Sequence, residues 1–457
     1  ELIFNTQKIH FVHEFSDHYT SVPCACGPDP LPESVPCDPD APQVRIDAMN
    51  SSPALASLLL LLFTHSARAA EPGSPLPGSA RLLLPPVLHA MEGQEIHLYF
   101  ENSFLLFDSR RVIPDITCAK GTQQNDYWTW IPGSGEIGDH PLTLELRNEA
   151  NAVVSRATTL VRVTSPKVAS PSPPERSILI IGDSLTAASV YPEQILTLAR
   201  KDHFPLRLLG TRGPGVEEGK PLGEVRHEGY GGWTAAKFAT HFTGKAHSGP
   251  SSECGSPFLY KRNPDRPEEK PSLDFTRYFR ETNMGVPPDF VTILLGCNDT
   301  FSATDETIET TLDSYLKHLD TLIVALRNAC PQARIGLILP MPPAATQDAF
   351  GANYGNGQTR WQYCRNRHRV VERMTEHYRG KGKDHLDLIG AHLNLDSRYG
   401  FPSVKTPVHS HSEETIQRQS NGVHPSASGY RQIGDVVYAW LRSVPLPASN
   451  TASAPRG

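Results

Sequence analysis

Ile178-Leu179-Ile180-Ile181-Gly182-Asp183-Ser184-Leu185-Thr186 runs from an aliphatic segment straight into a glycine-led turn. Its first four residues are aliphatic with no polar alternation. A strand of that kind is covered on both faces, as in a parallel sheet between helix layers. Gly182 then opens a turn. The loop at the carboxyl end of such a strand is where α/β sheets build their sites. A serine in that position is also an ordinary turn former or helix N-cap, so the rest of the chain has to decide what Ser184 is.

Downstream, the pattern alternates between strand and helix. Phe290–Leu295 and Arg334–Leu339 read as two more buried strands. Between them, after Asp305-Glu306, the apolar residues Ile308, Leu312, Leu316, Leu319, Ile323 and Leu326 recur at helical spacing. Residues 359–378 and 427–442 are further helical stretches. This alternation predicts a three-layer α/β/α domain with a mostly parallel sheet over residues 177–443. Upstream, Ile96, Leu98 and Phe100 alternate with His97 and Tyr99, and Leu142, Leu144 and Leu146 with Thr143 and Glu145. With the strand candidates Tyr127–Ile131 and Thr158–Val163, this predicts a small all-β sandwich over residues 80–164. The Pro- and Ser-rich residues 165–176 read as an extended linker, and residues 444–457 as a disordered tail.

Composition narrows the function. The 457 residues are 38% hydrophobic and 20% charged, with a formal charge of -6. That balance, without a long basic run, argues against nucleic acid as a partner. The 8 cysteines are too few and too scattered for a disulfide scaffold. Cys24 and Cys26 have no second pair at zinc spacing, and no metal or other cofactor is expected.

Three further segments carry chemistry beside Ser184. His227-Glu228-Gly229-Tyr230-Gly231-Gly232-Trp233-Thr234 places Gly232 before a helix start, where a backbone N–H can face a developing negative charge. Leu295-Gly296-Cys297-Asn298-Asp299 ends a buried strand and offers an amide donor in Asn298. Asn421-Gly422-Val423-His424-Pro425 precedes a helix and offers a general base in His424. Each has a plain structural reading as turn, cap or solvated loop. In this order, the four blocks resemble the SGNH, or GDSL-type, hydrolases over roughly residues 177–443.

The resemblance implies a serine esterase working through an acyl-enzyme. Ser184 would be the nucleophile and His424 the base. The N–H groups of Ser184 and Gly232 and the Asn298 amide would form the oxyanion hole. The family places an aspartate three residues before the histidine, and Asn421 stands there instead. Either Asn421 orients the imidazole, or a backbone carbonyl does, or a carboxylate such as Glu413, Glu414 or Asp435 reaches in. Cys297 reads as a packed thiol and Asp183 as a turn former. Tyr230 and Trp233 are candidates for lining the substrate site or for the core. The long stretches His241–Pro288 and Ala391–Ser420 are expected to form pocket walls or a lid. The expected partner is a small-molecule or polysaccharide ester, with acetylated carbohydrate favoured by analogy only. The alternatives are a general short-chain ester or lipid esterase, and a carbohydrate-binding protein with a degenerate hydrolase domain.

The first methionine is Met49, and Leu58–Phe63 is a short apolar core followed by Ala67-Arg68-Ala69. This reads as a secretory signal peptide over residues 49–69, with residues 1–48 as translated sequence upstream of it, and implies a secreted or periplasmic protein. The apolar run is too short to span a bilayer. N-terminal sequencing of exported protein is expected to begin after this segment; a mature chain retaining residues before Met49 would contradict the reading.

Overall fold

Ile178 and Ile180 point to one face of the central sheet and Leu179 and Ile181 to the other, and all four are fully buried. That alternation explains why the run carries no polar residue: each face meets a layer of helices. The computed structural model describes residues 81–445 apart from 107–108, 169–172, 246–248, 264 and 267. The proposed upstream extension, the signal segment and all but the first two residues of the tail lie outside the described residues.

The N-terminal half is all-β. Its strands are β1 (Val87–Met91), β2 (Ile96–Tyr99), β3 (Ile113–Cys118), β4 (Thr122–Gln123), β5 (Tyr127–Trp130), β6 (Gly138–Arg147) and β7 (Val153–Thr164). They form a four-stranded sheet, ordered β1-β7-β6-β3, and a three-stranded sheet, ordered β2-β5-β4. Leu98, Trp128, Leu142, Leu144, Leu146 and Val161 close the core between them.

The second half begins with β8 (Arg176–Gly182), α1 (Ser184–Ala187), α2 (Val190–Lys201), β9 (Leu206–Leu209), β10 (Glu228–Gly229) and α3 (Ala235–Thr240). Next come β11 (Leu259–Tyr260), β12 (Ser272–Leu273), α4 (Phe275–Thr282), β13 (Phe290–Leu294), α5 (Cys297–Thr300), α6 (Ile308–Ala329) and β14 (Arg334–Ile338). It ends with α7 (Gln347–Tyr354), α8 (Arg360–Tyr378), β15 (Leu386–Ile389), β16 (Ser403–Pro407), β17 (Thr415–Gln419) and α9 (Ala427–Ser443). The central sheet runs β10-β8-β13-β14-β15, with β9 also pairing β8, and all its pairings are parallel. Helices α2 and α9 cover one face through Tyr191, Ile195, Ile433 and Val437. Helices α3, α4, α6 and α8 cover the other through Phe238, Phe275, Leu319 and Val370. The architecture is the expected three-layer α/β/α domain preceded by an all-β sandwich.

Register places the loops. Gly182 stands level with Gly229 of β10 on one side and with Leu294 of β13 on the other. The loops that follow these three strands therefore leave the sheet side by side. A side chain at Gly182 would press on Thr186 and sit 3.0 Å from the Leu294 carbonyl. Glycine there lets the strand turn directly into α1.

Several expectations change. Tyr230 and Trp233 are 0% and 1% exposed and stack at 4.4 Å, so they are core and not substrate-lining rings. The stretch 241–288 contributes buried Phe258, Phe275, Tyr278 and Phe279 to the same core; these four rings are structural. The two halves are also not joined by the linker alone. Leu393 of the second half lies in the sandwich core. Asn102, buried, donates to the carbonyls of His392 and Leu395 at 3.0 and 2.9 Å, and its own carbonyl accepts from Arg367. Arg442 of α9 donates to the Pro166 carbonyl at 3.0 Å, which pins the start of the linker.

Asn102→Ala would leave buried carbonyls without donors and is expected to cost about 1–3 kcal/mol. Urea unfolding should show a single transition that includes both halves; separate transitions for sandwich and α/β domain would contradict the shared core.

Candidate active site

Ser184 opens α1 directly after β8. The preceding Asp183 caps this short helix, its Oδ1 accepting from the Leu185 N–H at 2.9 Å. The cap keeps the chain turning at Ser184 and leaves the serine side chain outside the helix's own hydrogen bonds. His424 lies in the loop before α9, and its Nε2 is 2.9 Å from Ser184 Oγ. Both side chains are partly buried. Burial lowers the His424 pKa below the usual histidine value, which keeps the imidazole neutral and able to accept a proton near neutral pH.

Among the described residues no hydrogen bond joins the Asn421 side chain to the His424 ring. Its Oδ1 accepts from the backbone N–H groups of Val423 at 3.1 Å and His424 at 2.9 Å. This is a turn in which a short polar side chain replaces a backbone acceptor. The expectation that the Asn421 amide orients the imidazole is therefore corrected: its oxygen is committed to the backbone that carries His424. The carboxylate alternatives also fall away. Asp435 accepts from Gln194 at 2.7 Å, while Glu413 and Glu414 are exposed in the loop joining β16 to β17. Among the described residues no carboxylate hydrogen-bonds His424, and the structure brings Ser184 together with His424, whose loop is shaped by Asn421.

The candidate donors surround it. Gly232 adopts φ 71°, a conformation glycine takes without strain, and it is exposed with no neighbour crowding it. Among the described residues neither the Gly232 N–H nor the Ser184 N–H is engaged in a backbone hydrogen bond. Asn298, at the start of α5, donates one amide hydrogen to the Trp233 carbonyl at 3.1 Å, leaving the second for a ligand. Next to it, Asp299 Oδ1 accepts from the Ala235 N–H at 3.0 Å. These two bonds tie the Asn298 loop to the Gly232 loop. Asp299 was not foreseen in this role; the only sequence signal was its adjacency to Asn298.

Other nucleophile and base candidates are silent. Burial pushes the Cys297 thiol up to about 12, so it is no nucleophile near neutrality. Ser189 and His227 form a second pair at 2.8 Å, but both are buried. His227 Nδ1 accepts from the Gly229 N–H at 3.0 Å, so its proton sits on Nε2 and it donates to Ser189. That pair is a structural brace. Among the described residues, no group of three or more His, Cys, Asp or Glu side chains is arranged to hold a metal. No described helix is long and apolar enough to cross a membrane.

A serine at the end of a parallel strand in hydrogen-bond contact with a loop histidine is an arrangement used by α/β serine hydrolases. The chain belongs to the GDSL-like lipase/acylhydrolase family, whose model matches residues 180–432, and it is a carboxylic ester hydrolase. No curated protein sequence matches it. Among solved structures, a family 3 carbohydrate esterase from Talaromyces cellulolyticus is 15% identical, with 58% of this chain and 96% of that one covered at a TM-score of 0.34. A family 3 carbohydrate esterase from Clostridium thermocellum is 16% identical, with 58% and 94% covered at 0.34. An acetyl xylan esterase is 13% identical, with 58% and 99% covered at 0.30.

Burial raises the carboxyl of Asp299 to about 7 from an ordinary 3.8, and its Oδ2 is buried without a hydrogen-bond partner among the described residues. The fold favours the neutral acid. Its contribution to stability is therefore fully present below the ordinary value and is lost as pH rises through about 7. Asp299→Asn is expected to flatten the fall in Tm across that window; an unchanged pH profile of Tm would contradict the assignment. Asn421→Ala should lower kcat by about tenfold or more by loosening the His424 loop, with KM little changed, as steady-state kinetics would show.

Proposed function

We propose that this chain is an exported serine esterase that removes acetyl groups from acylated carbohydrate through an acyl-enzyme on Ser184. The contact between His424 Nε2 and Ser184 Oγ, 2.9 Å, carries the proposal. The neutral imidazole takes the Ser184 proton as Oγ attacks the ester carbonyl. The carbonyl π pair moves onto oxygen, and the tetrahedral oxyanion is met by the N–H groups of Ser184 and Gly232 and the free amide hydrogen of Asn298. Collapse expels the alcohol, which leaves with the proton from His424. Water repeats the sequence on the acyl-enzyme and releases the acid.

The family's usual aspartate would stabilise the imidazolium during attack. Here Asn421 supplies backbone position and no charge. Base strength near neutrality then comes from the ring itself, and positioning from the loop. The carbohydrate reading is supported by the signal-like segment at residues 49–69 and by the sandwich preceding the catalytic domain.

With p-nitrophenyl acetate, Ser184→Ala is expected to abolish turnover while circular dichroism stays native. Asn298→Ala should reduce kcat by about 10²–10³. The acid limb of kcat/KM should fall below the ordinary histidine value of 6.5, in the direction burial shifts His424, and Asn421→Asp should move it to higher pH. Full activity in Ser184→Ala would remove the proposal. Acetate release from acetylated xylan, compared with hydrolysis of long-chain esters, tests the substrate class.

A further inference from the structure

Away from Ser184 and His424, a cleft of about 420 Å³ opens where the sandwich meets the α/β domain. The sandwich contributes Tyr99, Asn125, Asp126 and Tyr127, and the α/β domain Asp396, Arg398 and Tyr399. The volume falls within the usual range for small-ligand sites, about 300–1,000 Å³. The lining mixes aromatic rings with planar polar groups. Tyr99 and Tyr127 pack at 5.2 Å against each other, and His97 lies within 5.2 Å of both.

Tyr399 is the unusual residue. The residue is 77% exposed, yet its backbone is held firmly. Asp396 Oδ1 accepts from the N–H groups of Arg398 at 2.8 Å and Tyr399 at 2.9 Å. Asp396 Oδ2 accepts from Tyr99 Oη at 3.2 Å. An aromatic ring on an anchored backbone, offered to solvent beside two further tyrosines, is a stacking surface. Asn125 and the Asp126–Arg398 pair, 3.4 Å apart, are exposed and present donors and acceptors around its rim. Glu101, Asp126 and Asp396 outnumber Arg398 in the lining, which disfavours an anionic ligand.

We propose that this cleft binds neutral sugar units of a polysaccharide, their apolar faces stacking on Tyr399 and Tyr127 and their hydroxyls meeting Asn125, Asp126 and Arg398. The choice of a neutral sugar rests on the acyl-carbohydrate reading above; the built cleft does not. The same turn is coupled to the catalytic loop. Gln419 donates to the carbonyls of Ser397 and Arg398 at 2.8 and 2.9 Å, and the Ser426 N–H donates to Gly400 at 2.9 Å. Gln419 and Ser426 flank His424 in sequence. The turn that carries Tyr399 is thus bonded to residues on both flanks of His424, and the cleft works as a chain-holding subsite for a large substrate.

The test uses the full chain with Ser184→Ala, to prevent turnover, in affinity gel electrophoresis against acetylated xylan, with polygalacturonate as the anionic control. The parent should be retarded by xylan and not by polygalacturonate. Adding Tyr399→Ala should weaken binding by about tenfold, and Tyr399→Trp should restore it. In the Ser184 enzyme, Tyr399→Ala should raise KM for acetylated xylan with kcat little changed, and leave p-nitrophenyl acetate turnover unaltered. Equal retardation with and without Tyr399→Ala, equal retardation by polygalacturonate, or no retardation of the parent would each overturn the cleft. Turnover of p-nitrophenyl acetate by the Ser184 enzyme reads the esterase proposal separately, so either can fail alone.

Discussion

Everything at the centre depends on the register of three parallel strands. Gly182 of β8 is level with Gly229 of β10 and Leu294 of β13. The serine, glycine and asparagine loops therefore start at one height and in one row. Parallel pairing is held by evenly spaced backbone bonds and by side chains buried on both faces, so a slip would move the whole Ile178–Ile181 run out of register with its helices. The crowding at Gly182 and at Gly229, where a Cβ would meet the Ala187 N at 2.5 Å, shows how tightly α1 is set against that row. Bonds from Asn298 to Trp233 and from Asp299 to Ala235 then lock the glycine and asparagine loops together.

The histidine arrives from the other end of the chain and is held differently. Asn421 shapes its loop through two backbone N–H groups, and among the described residues no carboxylate bonds the ring. Burial keeps the imidazole neutral to lower pH, and an imidazolium formed in the proposed attack would gain nothing from an adjacent anion among the described residues. The arrangement exchanges stabilisation of the charged intermediate for a wider pH range in which the base is ready.

What could be read from residues alone follows from how local the cause is. Ser184, Asn298 and Gly232 sit at strand ends or a helix start, and both are written in short apolar runs and glycines. The paired burial of Ile178–Ile181 was legible for the same reason. The four-residue strands Leu206–Leu209 and Leu386–Ile389 carry too little periodicity to stand out. Asn421 was recognised as the departure from the family pattern, but whether its oxygen faces the ring or the backbone is set by loop conformation. In sequence Tyr230 and Trp233 fit site and core equally, because aromatic rings serve both. The seam held by Asn102 and the segment 392–395 joins residues nearly 300 apart, and no sequence pattern encodes such a contact.

The most direct test of the central claim is covalent trapping. A fluorophosphonate reacts with a serine only where a neighbouring base takes the proton and donors receive the phosphoryl oxygen. Tandem mass spectrometry of the labelled, digested protein should place one adduct on Ser184, with labelling slowed sharply in His424→Ala. An adduct on another residue, or an unlabelled Ser184 in folded protein, would contradict the account.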